Sequence, residues 1–137
     1  MLKVMIVDDS LIIRKRISKI LENLGHKVIS FATSGNEAID MYKRFKPDLV
    51  TMDLTMPDMH GIEALKHIVE YDEHAKIIIV TSHGQEDMVI KSIQAGALSY
   101  ILKPITEDNI AKVIGEIFTE YATNSNDKLL DFGEFDN

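Results

Sequence analysis

The sequence predicts an α/β domain: a parallel sheet with helices on both faces. Three observations predict it. Five short β-branched runs alternate with five longer stretches of helical period. Several of the runs are almost wholly apolar, as strands covered on both faces are. Turn and cap residues fall between the two kinds of segment. Such a βα alternation implies parallel strands joined by right-handed crossovers.

The first run is Val4 to Val7, closed by Asp8 and Asp9. Ser10 stands where a helix N-cap belongs. Ile13, Ile17, Ile20, Leu21 and Leu24 then share one helical face, with Arg14, Lys15 and Lys19 elsewhere. Gly25 falls where a left-handed residue would end this helix. The second run is Val28 to Phe31, and Ser34 with Glu37 has capping-box spacing ahead of the second helix. The third run, Asp48 to Met52, leads into Asp53, and Gly61 opens the third helix. The fourth run, Ile77 to Thr81, precedes a helix that ends near Gly96. The last run is Tyr100 to Leu102, followed by Lys103 and Pro104. The fifth helix repeats Ile110, Val113, Ile114, Ile117, Phe118 and Tyr121 at helical spacing.

A chain of 137 residues fits one domain with one core. Its 45% apolar and 27% charged residues exclude wholesale disorder. With no cysteine, it has no disulfides, no thiolate nucleophile and no cysteine metal site. The start lacks the pattern of a signal peptide, and no apolar run approaches a membrane span. The net charge of -7 disfavours nucleic acid as a partner. A cytoplasmic protein with no membrane insertion is expected. The domain should occupy residues 1–121. Residues 122–137 carry four acidic side chains and one basic one after a polar opening, so they should form an acidic tail, flexible or docked. Its Leu129, Leu130, Phe132 and Phe135 could pack back onto the domain or onto a partner.

In a parallel sheet every strand's carboxyl end lies on one edge, where open α/β sheets bind ligands. Asp8 and Asp9, Asp53, Thr81 and Lys103 follow or end four of the five strands, so they should converge there. Two such carboxylates about 4 Å apart repel by about 4 kcal/mol at an effective dielectric near 20. A hard divalent cation relieves this, and oxygen-only ligands suit Mg²⁺. A phosphoryl group could then be clamped between the cation and the Lys103 ammonium, with the Thr81 hydroxyl donating a hydrogen bond. A carboxylate can accept that group as an aspartyl phosphate.

The set Asp8-Asp9-Ser10, Met52-Asp53-Leu54-Thr55-Met56-Pro57-Asp58-Met59-His60-Gly61, Val80-Thr81-Ser82 and Tyr100-Ile101-Leu102-Lys103-Pro104 resembles the receiver domain of two-component response regulators. The single-domain, chemotaxis-type regulators are the nearest in style. The resemblance covers residues 2 to about 121. It implies a flavodoxin-like, doubly wound sheet in the order 2-1-3-4-5 with five flanking helices. It implies Asp53 as the residue phosphorylated by a histidine kinase or phosphotransfer protein. Mg²⁺ would be held by Asp9 directly, by Asp8 mainly through water, by Asp53 and by the Thr55 carbonyl. Thr81 and Lys103 would contact the phosphoryl oxygens. Thr81 and Tyr100 would form the switch, changing partner affinity on the face of helix 4, strand 5 and helix 5. Thr55 and His83 depart from the chemotaxis pattern at positions that tune acyl-phosphate lifetime. The output would be a protein contact, in chemotaxis or flagellar motor control, or as a phosphorelay intermediate or kinase regulator. Such a chain is a phosphoacceptor rather than an enzyme.

Rival readings have their own signatures. A flavodoxin-type cofactor binder needs an uncharged phosphate loop after strand 1, where Asp8 and Asp9 stand instead. An aspartyl phosphatase or mutase places its nucleophile at strand 1 in an Asp-x-Asp arrangement. A degenerate receiver would bind partners without phosphorylation. Met52, Met56 and Met59 read as packing, and His60 and His83 have no partner at metal spacing. Arg14, Lys15, Arg16 and Lys19 form a solvated face or a docking site for a kinase.

Overall fold

The computed structural model describes residues 1–82 and 86–122. His83 and residues 123–137, with Leu129, Leu130, Phe132 and Phe135, lie outside the described residues. The strands are β1 (Lys3–Val7), β2 (Lys27–Ala32), β3 (Leu49–Met52), β4 (Ile77–Thr81) and β5 (Ser99–Leu102). The helices are α1 (Leu11–Asn23), α2 (Gly35–Phe45), α3 (Gly61–Tyr71), α4 (Glu86–Gln94) and α5 (Glu107–Ile117), followed by one 3₁₀ turn at Thr119–Tyr121. All strand pairs are parallel, in the order β2-β1-β3-β4-β5, as expected. The chain divides into two compact units, Met1–Ile105 and a unit that starts at Thr106.

In the first unit the near-continuous apolar strands are explained by burial on both faces. Met5, Val7, Val50, Met52, Ile77 and Ile79 form one core with Ala38 and Tyr42 of α2 and Ala64, Leu65 and Ile68 of α3. The alternate residues Val4, Ile6, Leu49, Ile78 and Val80 are buried as well. On α1, Ile17, Ile20 and Leu21 are buried, and the helix lies against β1 and β2. Away from the carboxyl edge, the Tyr42 hydroxyl donates to Asp72 Oδ2 at 2.7 Å, and the Tyr42 and Tyr71 rings meet edge to face at 6.4 Å. This clasp joins α2 to α3.

The caps follow the sequence with one change. Ser10 Oγ accepts from Ile13 N–H, and Gly25 adopts φ +90° after α1. Ser34 Oγ accepts from Glu37 N–H at 3.1 Å, but the Glu37 carboxylate does not return to Ser34. It accepts instead from Thr33 N–H at 2.6 Å and from the Thr33 hydroxyl at 3.2 Å. Two donors on one residue outbid the single amide of the reciprocal box. A full capping box occurs in the second unit, where Thr106 and Asn109 exchange side-chain and backbone bonds at the start of α5. Within that unit a methyl on Gly115 would stand 3.0 Å from Ala122 Cα, so glycine lets the chain fold back after Tyr121.

Candidate functional site

β1 and β3 are paired so that Val7 lies beside Met52. The residues that follow, Asp8 and Asp53, therefore leave the sheet side by side. Asp53 N–H donates to Val7 O at 2.9 Å, which continues the ladder one step beyond the strand. The carboxylates of Asp8, Asp9 and Asp53 each present an oxygen, and these oxygens lie within 4.8 Å of one another. Asp8 and Asp53 are buried, whereas Asp9 is exposed.

Asp8 is held at every polar atom. Its N–H donates to Ala32 O, and its carbonyl accepts from Arg14 Nη1 at 2.8 Å. Its Oδ1 accepts from Ser10 N–H at 2.9 Å, and its Oδ2 accepts from Lys103 Nζ at 3.1 Å. Lys103 reaches both buried carboxylates. Its ammonium is nearer Asp8, with Asp53 Oδ2 at 3.8 Å. The more deeply buried carboxylate is the less solvated of the two and takes the shorter bond.

Asp53 is only 8% exposed. Burial pushes its carboxyl above the usual carboxylate range, and the neighbouring Asp8 and Asp9 add to that. The Lys103 ammonium and a long hydrogen bond from Thr55 N–H, at 3.4 Å, work the other way. Its surroundings thus favour an electropositive group close by. The donors are all oxygen and two of the carboxylates are buried, a set that fits a hard divalent cation such as Mg²⁺. Both Asp8 oxygens already accept hydrogen bonds, from Ser10 and Lys103.

Thr81 ends β4 fully buried, and its carbonyl accepts from Lys103 N–H at 2.9 Å, so β4 and β5 deliver both residues to the same edge. The Lys103–Pro104 peptide is cis. Thr55 is exposed in the loop after Asp53. Tyr100 on β5 is 43% exposed. Gly61 has a role beyond opening α3. A methyl there would run into the Asp53 carbonyl and stand 2.7 Å from Leu54 Cα, so only glycine lets α3 approach the end of β3. Arg14, expected on a solvated face or in a kinase-docking site, also donates to the Asp8 carbonyl. Arg14 also lines a cleft of about 550 Å³ between α1 and β2 with Leu11, Lys15, Lys19 and Phe31.

The family described as the response regulator receiver domain matches residues 4–115. The chain is 43% identical over 115 residues to the chemotaxis protein CheY of Thermotoga maritima, covering 84% of this chain and 96% of that one. It is 36% identical over 112 residues to the sporulation initiation phosphotransferase F of Bacillus subtilis, covering 82% and 90%. Among solved structures, CheY in a CheX-CheY-BeF₃-Mg²⁺ complex from Borrelia burgdorferi superposes with a TM-score of 0.82 at 35% identity, covering 85% of this chain and 88% of that one.

Proposed function

The chain belongs to the response regulator receiver family, and we propose that Asp53 is its phosphoryl acceptor, with Mg²⁺ at Asp9, Asp53 and the Thr55 carbonyl. The family places the chain in two-component signalling as a phosphoacceptor rather than a classical enzyme. The observation that carries the proposal is the cluster itself: three carboxylates within 4.8 Å, beside an ammonium 3.1 Å from one and 3.8 Å from another.

In the step, an Asp53 carboxylate oxygen attacks the phosphorus of a phosphohistidine. The O–P bond forms, the N–P bond breaks, and the electron pair returns to the imidazole. The cation supplies charge neutralisation for the phosphoryl oxygens. Lys103 lies where its ammonium can turn from the carboxylates to a phosphoryl oxygen. Thr81 offers a hydroxyl from the neighbouring strand end. Asp8, fixed by Ser10, Arg14 and Lys103, holds negative charge beside the cation and orients water there. Thr55, and His83 outside the described residues, hold the two positions to which the resemblance assigns tuning of the acyl-phosphate lifetime.

Signal output follows when Thr81 moves toward the phosphoryl group and Tyr100 turns inward. Ile90 and Ile93 on α4, Leu98 just before β5, and Tyr100 and Leu102 on β5 are exposed. This supports an output partner that docks by apolar contact on the face the resemblance assigns to helix 4, strand 5 and helix 5. The cleft beside α1, where Leu11 and Phe31 lie among Arg14, Lys15, Lys19, Glu22 and Glu37, supports docking of the phosphodonor, a sensor kinase or phosphotransfer protein. Among the described residues no helix is long and apolar enough to cross a membrane. Similarity to chemotaxis proteins supports a cytoplasmic role in chemotaxis signalling, and the acidic net charge disfavours nucleic acid as a partner. Similarity to a sporulation phosphotransferase favours a second reading, a phosphorelay intermediate, in which the phosphoryl group passes on to another histidine.

Incubation with acetyl phosphate and Mg²⁺, followed by intact mass measurement, tests the assignment. The wild type should gain one phosphoryl group and Asp53→Asn none, with its circular dichroism unchanged. Equal labelling of both proteins would overturn it. Transfer from the labelled protein to a purified histidine phosphotransfer domain separates the relay from the motor reading.

A further inference from the structure

We propose that Asp58 is a positioning residue for the cation site: it ties the loop carrying Thr55 to the start of α2 and so fixes the Thr55 carbonyl. The inference rests on the reading of Asp9, Asp53 and Thr55 as Mg²⁺ ligands. Asp58 Oδ1 accepts from Gly35 N–H at 2.7 Å and Oδ2 from Asn36 N–H at 2.8 Å. These are two of the amides that α2 cannot satisfy within itself. Short bonds from amides at a helix N-terminus hold a carboxylate strongly. They also keep the Asp58 carboxyl below the usual carboxylate range, so it is charged at neutral pH.

The loop from Leu54 to His60 has three fixed points. Its base is closed by Gly61 N–H donating to Leu54 O at 2.6 Å. Near Asp53, Thr55 N–H reaches the acceptor carboxylate. At the tip stands Asp58, with Met59 beside it. A methyl on Gly35 would collide with Met59 Cγ and lie 2.7 Å from its Sδ, so the missing side chain of Gly35 is the space Met59 fills. The Thr55 peptide sits between the closed base and the held tip. Cutting the tip free leaves the base intact, so the fold should persist while the carbonyl loses its definition. A metal ligand whose support is removed typically costs ten- to a hundredfold in affinity.

The experiment is calorimetric titration of MgCl₂ into the wild type, Asp58→Ala, Asp58→Asn and Gly35→Ala, with acetyl phosphate labelling rates at saturating Mg²⁺. Asp58→Ala should bind Mg²⁺ about tenfold more weakly, while its labelling rate at saturation stays close to wild type. Asp58→Asn keeps one of the two acceptors and should fall between. Gly35→Ala displaces Met59 from the other side of the same contact and should weaken Mg²⁺ binding too. A purely structural role would lower the melting temperature and leave Mg²⁺ affinity untouched, and equal affinities in wild type and Asp58→Ala would overturn the proposal. A wild type that binds no Mg²⁺ would overturn the cation site as well, whereas a wild type that binds Mg²⁺ as tightly as its variants overturns the positioning role alone.

Discussion

Asp53 and Lys103 should respond to substitution with opposite signs. Asp53 carries a charge that burial and two neighbouring carboxylates disfavour. In Mg²⁺-free buffer Asp53→Asn should therefore raise the melting temperature although it removes the acceptor. A fall on thermal unfolding would contradict the electrostatic account. Lys103 is the counter-charge of a buried Asp8. Lys103→Ala leaves that carboxylate without its charged partner and should cost about 2 kcal/mol in urea unfolding. Unchanged stability would mean the ion pair contributes nothing. The residues at the strand ends were legible in the sequence because topology alone brings them to one edge. The partition of Lys103 between Asp8 and Asp53 was not, because it depends on which carboxylate is the more deeply buried. Asp58 was legible only as a letter in a motif, since its partners lie 22 and 23 residues earlier in the chain.

Helix and strand ends hold the next set of expectations. Lys46 ends α2 with φ +45°, a left-handed conformation that glycine adopts freely and lysine does not. Lys46→Gly should stabilise the chain by about 0.5 to 1 kcal/mol, the left-handed cost less the added freedom of the unfolded glycine. A destabilised variant in urea unfolding would show that the lysine side chain outweighs that strain. Just before β2, buried His26 accepts at Nδ1 from Leu2 N–H at 3.1 Å, tying the start of β1 to β2. Burial, helped by the chain's amino terminus, holds His26 below the ordinary histidine range. The unfolded chain then takes up a proton that the folded chain refuses. Stability is full above the unfolded pKa of about 6.5 and falls as pH drops below it, by at most about 1.4 kcal/mol per pH unit. His26→Asn, which keeps an acceptor in place of Nδ1, should lose less stability between pH 7 and pH 5 than the wild type. Equal losses would remove His26 from the acid response. Apolar runs and cap residues made the elements readable to within a residue or two, except that the fifth helix stops at Ile117 and Tyr121 falls in a separate 3₁₀ turn. The capping box at Thr106 escaped notice because Asn109 stands where the usual pattern has Glu or Gln.

On the scale of the whole molecule, the order of the strands makes the site. β1 and β3 are adjacent, with β4 and β5 following on one side. Asp8, Asp53, Thr81 and Lys103 come from four neighbouring strands and cannot avoid meeting. The alternation of strand and helix predicts a parallel sheet. It does not choose among strand orders, and only the combined motif pointed to this one. Loop supports such as Asp58 on α2 lie beyond both kinds of signal, since they depend on how two loops approach each other in space. The central claim is that this edge makes Asp53 an acyl phosphate. Its most direct measurement is borohydride reduction of protein labelled with acetyl phosphate and Mg²⁺, followed by peptide mass spectrometry. Reduction of an aspartyl phosphate leaves homoserine in place of the aspartate. The account predicts homoserine at position 53 and nowhere else, and none when Mg²⁺ is withheld. Homoserine at position 8 or 9, or a labelled protein in which Asp53 is intact, would contradict it.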